Sequence, residues 1–353
     1  MKELPSLGVV VVTFNSAGVI AECLESLFAS DGVALHVVVV DNASSDRTRT
    51  VIRDWAKGEV QVNRLRNSPL GEEPSVAKPI HFTVRTPDEA GKTAAGLSLI
   101  ESPINGGFAC GVNLGLRALL EVSEIDAFWI LNPDCVVGSD VASLYLKEAA
   151  RGGYALLGCR TVFYEKPDLI QTDGGRVSPW TATCISVNGK LPAHDRPLPD
   201  AASLNYISGA NMVASRAFIE LAGLMVEDYF LYYEEVDWAF RRGHLPLRLV
   251  PDAVVYHHGG TVIGTGSWQR RPSSFANYFN YRNRVHFARR HMPLALPLVL
   301  AKAIAKSVQL LFLGAQDEAR SIVTGTFGRA PPPDVADRIT GTVERRLAFG
   351  DGK

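Results

Sequence analysis

The sequence is poor in several features that mark other classes of protein. Its five cysteines are odd in number and contain no C-x-x-C pair; they are Cys23, Cys110, Cys135, Cys159 and Cys184. This pattern argues against a disulfide framework and against a zinc site, and it is typical of a reducing compartment. The formal net charge of −1 provides no general attraction for nucleic acid. We therefore expect no nucleic-acid partner.

Phosphate-binding and membrane-spanning signatures are also missing. Neither G-x-G-x-x-G nor G-x-x-x-x-G-K-[ST] follows the first apolar run, which counts against dinucleotide-binding and P-loop proteins. No segment has the roughly 18 uninterrupted apolar residues of a transmembrane helix. Met1–Ser6 lacks an apolar signal stretch. These absences predict a cytoplasmic location.

What the first 60 residues do contain is an alternation of strand and helix patterns. Leu7–Thr13 and Leu35–Val40 are short apolar runs typical of central parallel strands. Ala17–Ala29 carries apolar residues at helical spacing, and Ser44-Ser45-Asp46 supplies N-cap chemistry for a second helix. Strand, helix, strand and helix with short connections predict an α/β fold with a parallel sheet.

Polar residues follow both of these strands. Thr13 and Asn15 come after the first strand, and Asp41 and Asn42 come at the end of the second. In open α/β sheets, ligands bind in the crevice outside the carboxyl ends of the strands. The four side chains therefore suit a nucleotide base and ribose. The alternative for Asp41 is that it only caps the following helix.

Two later segments also place ligand-binding chemistry at strand ends. Asn105–Asn113 (NGGFACGVN) permits close backbone approach, and a helix starting near Ala109 would offer free N–H groups to an anion. The apolar run Phe128–Leu131 ends before Pro133, and Asp134 follows at once. A carboxylate in that position can hold a divalent cation against phosphates. The alternative is an Asx turn after the proline.

A third informative stretch places carboxylates among aromatic residues. Glu234, Glu235 and Asp237 lie within four positions of one another. On a helix, Asp237 would pair with Arg241 on one face. Glu235 would point elsewhere, and its aromatic surroundings would raise its pKa, which suits a general base. The alternative is an amphipathic helix with a solvated acidic face, which the aromatic density disfavours.

A histidine follows the last predicted strands. Leu247–Val250 and Ala253–Tyr256 read as two strands, and the second runs into His257. A neutral imidazole at a strand end is a competent metal ligand. We expect it to join Asp134 on Mg²⁺ or Mn²⁺.

The C-terminal part differs in charge from the rest. No Asp or Glu occurs from Ala253 to Gln316, and the apolar segment Met292–Leu313 within it is interrupted by Lys302 and Lys306. This pattern fits a basic amphipathic segment in a membrane interface. It also fits a helix packed on the core with snorkelling lysines. The tail from Ala330 is rich in proline and then in charge, which predicts a frayed end or an oligomer contact.

Taken together, these stretches resemble the inverting family 2 glycosyltransferases of the GT-A fold, especially bacterial rhamnosyltransferases of cell-wall and O-antigen assembly. The matching segments are VVVVTFNS (9–16), VVVDNASSD (38–46), NGGFACGVN (105–113), WILNPD (129–134), SGANMV (208–213), YYEEVDWAFR (232–241) and YHHGG (256–260). The resemblance implies a single Rossmann-like α/β domain with a mostly parallel central sheet over residues 1–265. A basic, amphipathic helical region over 266–330 and a tail over 331–353 would follow.

The resemblance also implies roles for individual positions. The nucleotide and donor positions would be Thr13, Asn15, Asp41, Asn42, Asn105, Gly107, Phe108, Asn113, Asn132 and Asp134. Asn132-Pro133-Asp134 matches the family's D-x-D motif with only the last acid kept, so Asp134 and His257 would be the metal ligands. The catalytic base falls on Glu235, with Glu234 as second choice and Asp237 as a further catalytic residue. The acceptor positions would be Gly209, Ala210 and Trp238.

The implied activity is a metal-dependent, inverting transfer of L-rhamnose from dTDP-L-rhamnose. The acceptor would be a hydroxyl of a lipid-linked saccharide or polysaccharide at the inner face of the cytoplasmic membrane, and the protein would be peripheral there or a homo-oligomer. The motifs do not separate thymine from uracil, so a galactofuranosyl or N-acetylhexosaminyl transferase using a UDP-sugar is an alternative. A non-catalytic sugar-nucleotide or polysaccharide-binding protein on the same fold is another. The presence of Asp134, Glu235 and His257 argues against the latter.

Overall fold

Strands and helices alternate in the first half of the chain, and helices make up its C-terminal part. The computed structural model describes residues 4–60, 62, 69–71, 76–89, 95–259 and 271–350. The strands are β1 (Ser6–Thr13), β2 (Ala34–Asn42), β3 (Phe82–Arg85), β4 (Gly96–Ser102), β5 (Ala127–Leu131), β6 (Cys135–Val137), β7 (Leu156–Phe163), β8 (Lys166–Thr172), β9 (Gly175–Val177), β10 (Cys184–Ser186), β11 (Asn211–Ser215) and β12 (Leu247–His257). The helices are α1 (Ile20–Phe28), α2 (Thr48–Lys57), α3 (Phe108–Leu120), α4 (Val141–Ala149), α5 (Arg216–Ala222), α6 (Glu234–Phe240), α7 (Ser274–His291), α8 (Leu296–Phe312), α9 (Gln316–Thr326), α10 (Pro333–Ala336) and α11 (Thr342–Phe349).

One large sheet organises the described residues. Its strand order is β3-β4-β2-β1-β5-β11-β7-β12-β6, with β8 paired to β7. The first five strands in this order are mutually parallel, and Thr13 lies opposite Asp41 in the β1–β2 register. The carboxyl ends of β1, β2, β4 and β5 therefore meet at one edge of the sheet. The predicted mixed α/β fold with a mostly parallel sheet and C-terminal helices is confirmed.

The valine-rich strands are buried on both faces. Val9 and Val11 of β1 pack in a cluster with α1, α2 and α4, whereas Val10 and Val12 pack with α3. Alternate side chains of a strand point to opposite faces, so a continuous apolar run is what a sheet covered on both sides requires. Helix α3 lies very close to β1, because a Cβ at Gly111 would come within 2.6 Å of Val12 Cγ1.

The sheet differs from the sequence-based expectation in several strands, because β6 and β8 were not predicted. Strand β11 was not predicted either, yet it inserts antiparallel between β5 and β7, with Met212 opposite Ile130. The two strands expected over Leu247–Val250 and Ala253–Tyr256 are the single strand β12, with a register shift between Leu249 and Val254. Pro251 cannot donate to a ladder, and a bulge accommodates it without ending the strand.

The C-terminal helices belong to the core of the structure. Helix α7 is buried along most of its length and contacts α8, α9 and α10. Of the two alternatives for the tail, a frayed end is wrong for the described residues, because Val335, Ile339 and Phe349 are buried and the Phe349 ring stacks on Phe279 at 5.8 Å. The oligomer contact stays a prediction. The expected domain boundary at residues 265 and 266 lies outside the described residues.

Candidate active site

A cavity of about 320 Å³ opens at the carboxyl ends of the parallel strands. It lies where ligands of open α/β sheets bind. The predicted site residues that line it are Asn42, Asn105, Gly107, Phe108, Asn132, Asp134, Gly209, Ala210, Glu234, Glu235 and His257. Six of the seven segments that resemble the family thus contribute predicted site residues to this cavity. The remaining segment, residues 9–16, contributes Phe14 and Ser16.

An acid and a histidine meet in this cavity. Asp134 Oδ1 lies 3.0 Å from His257 Nε2, and both residues are only 7% exposed. Their approach follows from sheet register, because β6 pairs antiparallel with β12 and sets Cys135 opposite His257. The backbone N–H of His258 also donates to the Asp134 carbonyl at 3.1 Å. Burial opposes ionisation of Asp134, yet the His257 imidazole holds the pKa of this carboxyl below its usual range.

Gln171 orients the histidine ring. The Nδ1 atom of His257 donates to Gln171 Oε1 at 2.6 Å, so in the neutral imidazole Nε2 presents a lone pair to the Asp134 carboxylate. Two lone pairs at this separation are satisfied by a cation between them or by an imidazolium proton. The oxygen and nitrogen donors fit Mg²⁺ or Mn²⁺. Sequence reasoning missed Gln171, because no motif around it indicates that its side chain bonds to a metal-binding histidine.

Cys135 is the third potential metal ligand of this cluster, with its sulfur within 4.8 Å of the other two ligand atoms. Its thiol is fully buried and donates to the Ala210 carbonyl at 3.4 Å. Burial raises the pKa of the Cys135 thiol well above its ordinary value. Mg²⁺ and Mn²⁺ prefer oxygen and nitrogen ligands to the softer sulfur, so the candidate site for these ions consists of Asp134 and His257.

Two adjacent carboxylates begin helix α6 and face the same cavity. Glu234 is 2% exposed, whereas Glu235 is half-buried. Burial raises the pKa of both carboxyls, and the neighbouring Glu235 charge raises that of Glu234 further. Glu234 Oε2 has no hydrogen-bond partner within the described part of the chain. Gly209 lies beside the pair, since a Cβ built on it would be 3.5 Å from Glu235 Cγ.

The turn before α6 is strained. Phe230, Tyr232 and Tyr233 have φ angles of +62°, +69° and +75°, in the region that bulky side chains avoid. Such residues cost on the order of 1–3 kcal/mol each and persist only where surrounding contacts hold them. One contact is the Phe108 N–H, which donates to the Phe230 carbonyl at 2.9 Å. It requires glycine at position 107, because a Cβ on Gly107 would lie 2.3 Å from that carbonyl oxygen.

Helix α7 supplies the other contacts of this strained turn. The Asn283 amide donates to the carbonyls of Tyr229, Leu231 and Tyr232 at 2.8, 2.6 and 3.0 Å. The Arg282 guanidinium donates to the Tyr229 carbonyl at 2.6 Å. These hydrogen bonds fix the direction in which α6 presents its first carboxylates. Sequence reasoning missed both residues, since about 50 positions separate them from the turn.

Three predicted nucleotide-binding residues do not line the cavity. The Thr13 hydroxyl donates to Asp41 Oδ1 at 3.2 Å, and Arg49 pairs with Asp41 at 2.9 Å. The Asn15 side chain accepts the Ser45 N–H at 2.9 Å. These interactions hold together the loops that follow β1 and β2, beside the lining residue Asn42. Thr13, Asn15 and Asp41 thus lie next to the cavity without lining it, and their predicted contacts with a nucleotide stay predictions.

Asp237 also lies outside the cavity. It is fully buried, accepts hydrogen bonds from Tyr229 and His291 at 3.1 and 2.7 Å, and pairs with Arg241 at 2.8 Å as the helical spacing predicted. Burial opposes its ionisation, yet His291 and Arg241 hold the pKa of this carboxyl below its usual range. Asp237 thus connects α6 to α7 through His291 and does not line the cavity, and its predicted catalytic role stays a prediction.

Two further predicted residues serve as internal braces. The Asn113 amide donates to the Met225 carbonyl at 2.9 Å and thereby ties α3 to the segment before the strained turn. The Trp238 indole donates to the Gly223 carbonyl at 2.8 Å and is fully buried. Neither side chain lines the cavity.

The C-terminal segment contributes cavity residues that sequence reasoning missed. Phe275, Arg338 and Ile339 line the cavity, and the Arg338 guanidinium stacks on the Phe275 ring at 4.4 Å. Arg338 brings a positive charge to the side of the cavity that holds Glu234 and Tyr232. It lies in the segment predicted to be a frayed tail, so no local pattern indicated this placement.

Comparison with known proteins identifies the family of the N-terminal region. Residues 8–71 match the family model described as Glycosyl transferase family 2. This segment contains most of β1, all of β2, and the four polar residues at their ends, Thr13, Asn15, Asp41 and Asn42. The match to this family is therefore to residues 8–71, the first part of the sheet.

Similar proteins extend the likeness over most of the chain. The low-salt glycan biosynthesis hexosyltransferase Agl10 of Haloferax volcanii is 24% identical over 289 residues, which cover 80% of this chain and 75% of that protein. The structure of the mannosyltransferase PcManGT from Pyrobaculum calidifontis, in complex with GDP-Man and Mn²⁺, matches this one with a TM-score of 0.51 at 17% sequence identity. The match covers 92% of this chain and 87% of the PcManGT chain. TarS 1–349 of S. aureus has a TM-score of 0.48 at 13% identity, and the match covers 98% of this chain and 86% of the TarS chain. The likeness to PcManGT shows a fold of the GT-A type.

Proposed function

We propose that this glycosyltransferase is inverting and metal-dependent, and that it moves a sugar from a nucleotide sugar to a hydroxyl of a lipid-linked saccharide. The observation that carries the proposal is the convergence of the Asp134–His257 pair and the Glu234–Glu235 pair on one cavity. A cation site and a base are the two chemical functions that such a transfer needs.

The donor would bind at the strand ends. The amides of Asn42, Asn105 and Asn132 line this part of the cavity and provide hydrogen-bond donors and acceptors for a nucleotide. A divalent cation held by Asp134 and His257 would neutralise the charge that develops on the departing nucleoside diphosphate. Mg²⁺ and Mn²⁺ both suit this pair, and the similar protein PcManGT was solved with Mn²⁺ and GDP-Man.

Glu235 is the proposed base. Its half-buried carboxylate, with a raised pKa, would accept the proton of the acceptor hydroxyl as that oxygen bonds to the anomeric carbon. The bond from this carbon to the diphosphate breaks in the same displacement, so the configuration inverts. A retaining double displacement would also need a carboxylate nucleophile close to the sugar. Glu234 is the second choice, because it is more deeply buried.

The first donor we propose is dTDP-L-rhamnose. This choice rests on the resemblance of the motifs to rhamnosyltransferases. The relative Agl10 is named a hexosyltransferase, a broader class to which a transferase of a 6-deoxyhexose such as rhamnose is chemically close. UDP-sugars are the second choice, since the same amide-rich cavity suits uracil and thymine.

A membrane-bound acceptor is supported by helix α8. By length and composition alone, Pro293–Phe312 could cross a membrane, as could the core helix of a soluble protein. Of its most apolar 18 residues, 28% are buried. A stripe of Val299, Ala303 and Leu310 docks on the neighbouring helices, and this docking favours a helix that lies in the interface over one that spans it. The large apolar side chains exposed along this region are Leu294, Leu298, Ile304, Val308, Leu311, Phe312 and Leu313. We call them the membrane surface and propose a peripheral location at the cytoplasmic face.

A hairpin connects this surface to the catalytic turn. Lys302 of α8 donates to Thr183 at 2.9 Å, and the hairpin formed by β9 and β10 exposes Trp180 at its turn. On the other side, the Tyr233 hydroxyl donates to the Ala182 carbonyl at 2.8 Å. A lipid-linked acceptor lying against the hairpin would therefore be close to the residues that precede Glu235.

A nucleotide-sugar panel tests the proposed function. The purified full chain is incubated with dTDP-L-rhamnose, UDP-N-acetylglucosamine, UDP-galactofuranose and GDP-mannose, with and without lipid-linked acceptor, in Mg²⁺, Mn²⁺ or EDTA. We expect nucleotide release from dTDP-L-rhamnose that requires metal. Release from a UDP-sugar instead would change the proposed donor. Nucleotide binding with no release from any donor would support the non-catalytic alternative.

A further inference from the structure

One wall of the active-site cavity is apolar. It consists of Phe230, Leu231, Phe275 and Ile339, which all line the cavity. Three of these residues, Phe230, Phe275 and Ile339, are at most 8% exposed and pack in one cluster with side chains of the C-terminal helices. We call the four residues the apolar wall. Hydrophobic side chains in a ligand cavity contact the apolar parts of the ligand, so this wall suits neither a phosphate nor a cation.

The Phe275 ring has little freedom to move within this wall. The Arg338 guanidinium stacks on one side of the residue at 4.4 Å, and the Phe279 ring packs against it with the ring centroids 4.9 Å apart. Ile339 is the next residue after Arg338 and is 5% exposed. Side chains that are locked by packing can discriminate between ligands that differ by one small group.

Two unpartnered polar atoms lie next to the apolar wall. The Tyr232 hydroxyl and Glu234 Oε2 are both buried and have no hydrogen-bond partner among the described residues, and both residues line the cavity. Tyr232 packs against the same cluster as Phe275 and Ile339. We call these two atoms the polar pair. Buried polar atoms are almost always satisfied in folded proteins, so the pair points to a ligand group in the cavity.

The polar pair suits a hydroxyl group. Burial and the charge of Glu234 raise the pKa of the Tyr232 hydroxyl, which therefore keeps its proton and can donate. A carboxyl oxygen accepts hydrogen bonds, and a hydroxyl group can accept one hydrogen bond and donate another. A ligand hydroxyl can thus accept from Tyr232 and donate to Glu234 at the same time. Together, the polar pair and the apolar wall suit a ligand edge that carries a hydroxyl next to an apolar group.

The apolar wall is connected to the donor side of the cavity. The Phe230 carbonyl accepts the N–H of Phe108, a predicted donor position, at 2.9 Å. The Tyr233 hydroxyl instead donates to the Ala182 carbonyl of the hairpin, where we place the acceptor. The consecutive residues Tyr232 and Tyr233 therefore contact different parts of the structure, and the wall beside Tyr232 is assigned to the donor sugar.

We infer that the apolar wall and the polar pair select a 6-deoxyhexose as the donor sugar. Such a sugar carries its methyl group and a hydroxyl on neighbouring carbons. The methyl would contact Phe275 and Ile339, and the hydroxyl would bond to Tyr232 and Glu234. A sugar with a hydroxyl in place of that methyl hydrogen would bury a polar group against apolar side chains. The inference rests on the proposed function and names the feature of the sugar that the site would recognise.

Calorimetric titrations of the full chain, with Mg²⁺ and without acceptor, test this selection. The ligands are dTDP, dTDP-L-rhamnose and dTDP-L-mannose, because L-mannose is the 6-hydroxyl counterpart of L-rhamnose. The wild type should bind the rhamnose donor at least about tenfold more tightly than the mannose donor, which is the scale of discrimination by an apolar pocket for one small group. Equal affinities, or tighter binding of the mannose donor, overturn the inference.

Two variants assign the preference to the named residues. Ile339→Thr keeps the branched shape and adds a hydroxyl to the wall, so the preference for the rhamnose donor should fall severalfold. Tyr232→Phe removes only the hydroxyl and should weaken both sugar donors by up to about tenfold, as expected for one lost hydrogen bond. Val343→Thr is the matched control, since Val343 is exposed on α11 and does not line the cavity.

The affinity for dTDP shows whether each variant is folded and whether the wall contacts the nucleotide. It should be the same in the wild type and in both variants. An unchanged preference in Ile339→Thr, or a loss of dTDP affinity as large as the loss for the sugar donors in Tyr232→Phe, overturns the inference.

The titrations separate this inference from the proposed function, because they measure binding without transfer. A chain that prefers the rhamnose donor but transfers no sugar in the donor panel contradicts the proposed function alone. A chain that transfers a sugar but binds the two dTDP-sugars equally, or binds neither, contradicts the inference alone.

Discussion

At the scale of single residues, Glu234 and Glu235 show how one fold makes two unlike carboxylates from neighbouring positions. Glu235 is partly open to the cavity, whereas Glu234 is enclosed and has an unpartnered oxygen among the described residues. A base must be reachable by substrate and must ionise near working pH. Glu235 meets both requirements better than Glu234.

Glu235→Gln should lower turnover by roughly 10²–10⁴-fold, because it removes the proton acceptor and keeps the size of the side chain. The affinity for nucleotide should be unchanged. The measurements are the rate of transfer and the dissociation constant of the nucleoside diphosphate. Glu220→Gln, on an exposed position of α5, is the control. Normal turnover of Glu235→Gln together with an inactive Glu234→Gln would move the role of base to Glu234.

The same pair predicts a dependence of stability on pH. The folded protein raises both pKa values, so the stability that the protonated pair contributes is fully present below the ordinary pKa of Glu and is lost as pH rises through the raised values. Glu234→Gln cannot ionise. Near pH 4 its stability should equal that of the wild type. Near pH 8 it should be more stable, by about 1.4 kcal/mol for each unit of pKa shift removed.

Urea unfolding at the two pH values checks this expectation. A stability difference of the same size near pH 4 and near pH 8 would show that packing of the amide, and not ionisation of the carboxyl, is responsible. The comparison with Glu235→Gln then assigns the larger effect to one of the two positions.

At the scale of elements, α7 is the helix that holds the active-site turn in place. Its Asn283 satisfies three carbonyls of a turn that contains three residues with positive φ. Strained backbone persists where neighbouring groups over-determine it. The position of α6 therefore depends on a side chain about 50 residues further along the chain.

Asn283→Asp keeps the shape but loses the amide donor, so the turn should relax. We expect kcat to fall while the KM for the donor stays near its normal value, because the strand-end side of the cavity is untouched. Stability should drop by roughly 1–3 kcal/mol as buried carbonyls lose their partner. Asn280→Asp is the control, since Asn280 bonds only to Ala276 of its own helix among the contacts described. A fall in donor affinity with unchanged kcat would contradict this role.

At the scale of the whole molecule, the C-terminal helices combine two tasks. The residues after helix α10 close one side of the active-site cavity, where Arg338 and Ile339 lie. Helix α8 exposes the membrane surface and contacts the β9–β10 hairpin through Lys302. One C-terminal region thus lies next to both the candidate acceptor end of the cavity and the proposed bilayer.

Replacing Leu311 and Phe312 together by serine should weaken binding to anionic vesicles by at least about tenfold, since each exposed side chain contributes on the order of 1.5–3 kcal/mol when buried in an apolar phase. Binding of the wild type should also weaken with salt, because Lys302 and Lys306 interact with anionic headgroups through solvent. Leu221→Ser is the matched control, as Leu221 is exposed on α5, away from α8. Vesicle sedimentation at low and high salt measures both effects, and unchanged binding of the double variant would refute the membrane surface.

The sequence by itself determined the features that depend on neighbours in the chain. Apolar runs without alternation specified β1, β2 and β5 as buried strands, and apolar spacing specified the helices between them. The Asp237–Arg241 pair followed from helical geometry alone. Residues at strand ends could be recognised as ligand-binding candidates because parallel strands bring their carboxyl ends to one edge.

Only the tertiary structure decided which of those candidates face the cavity and what holds them there. Nothing in the sequence distinguishes Thr13, Asp41 and Asp237 from residues that line the cavity. In the structure their side chains contact neighbouring protein groups and do not line it. The Asp134–His257 contact depends on the β6–β12 register, across 123 positions of chain. The place of Arg338 depends on how α10 packs against α7. Local periodicity carries no information about contacts at such separations, because they are set by the packing of complete elements.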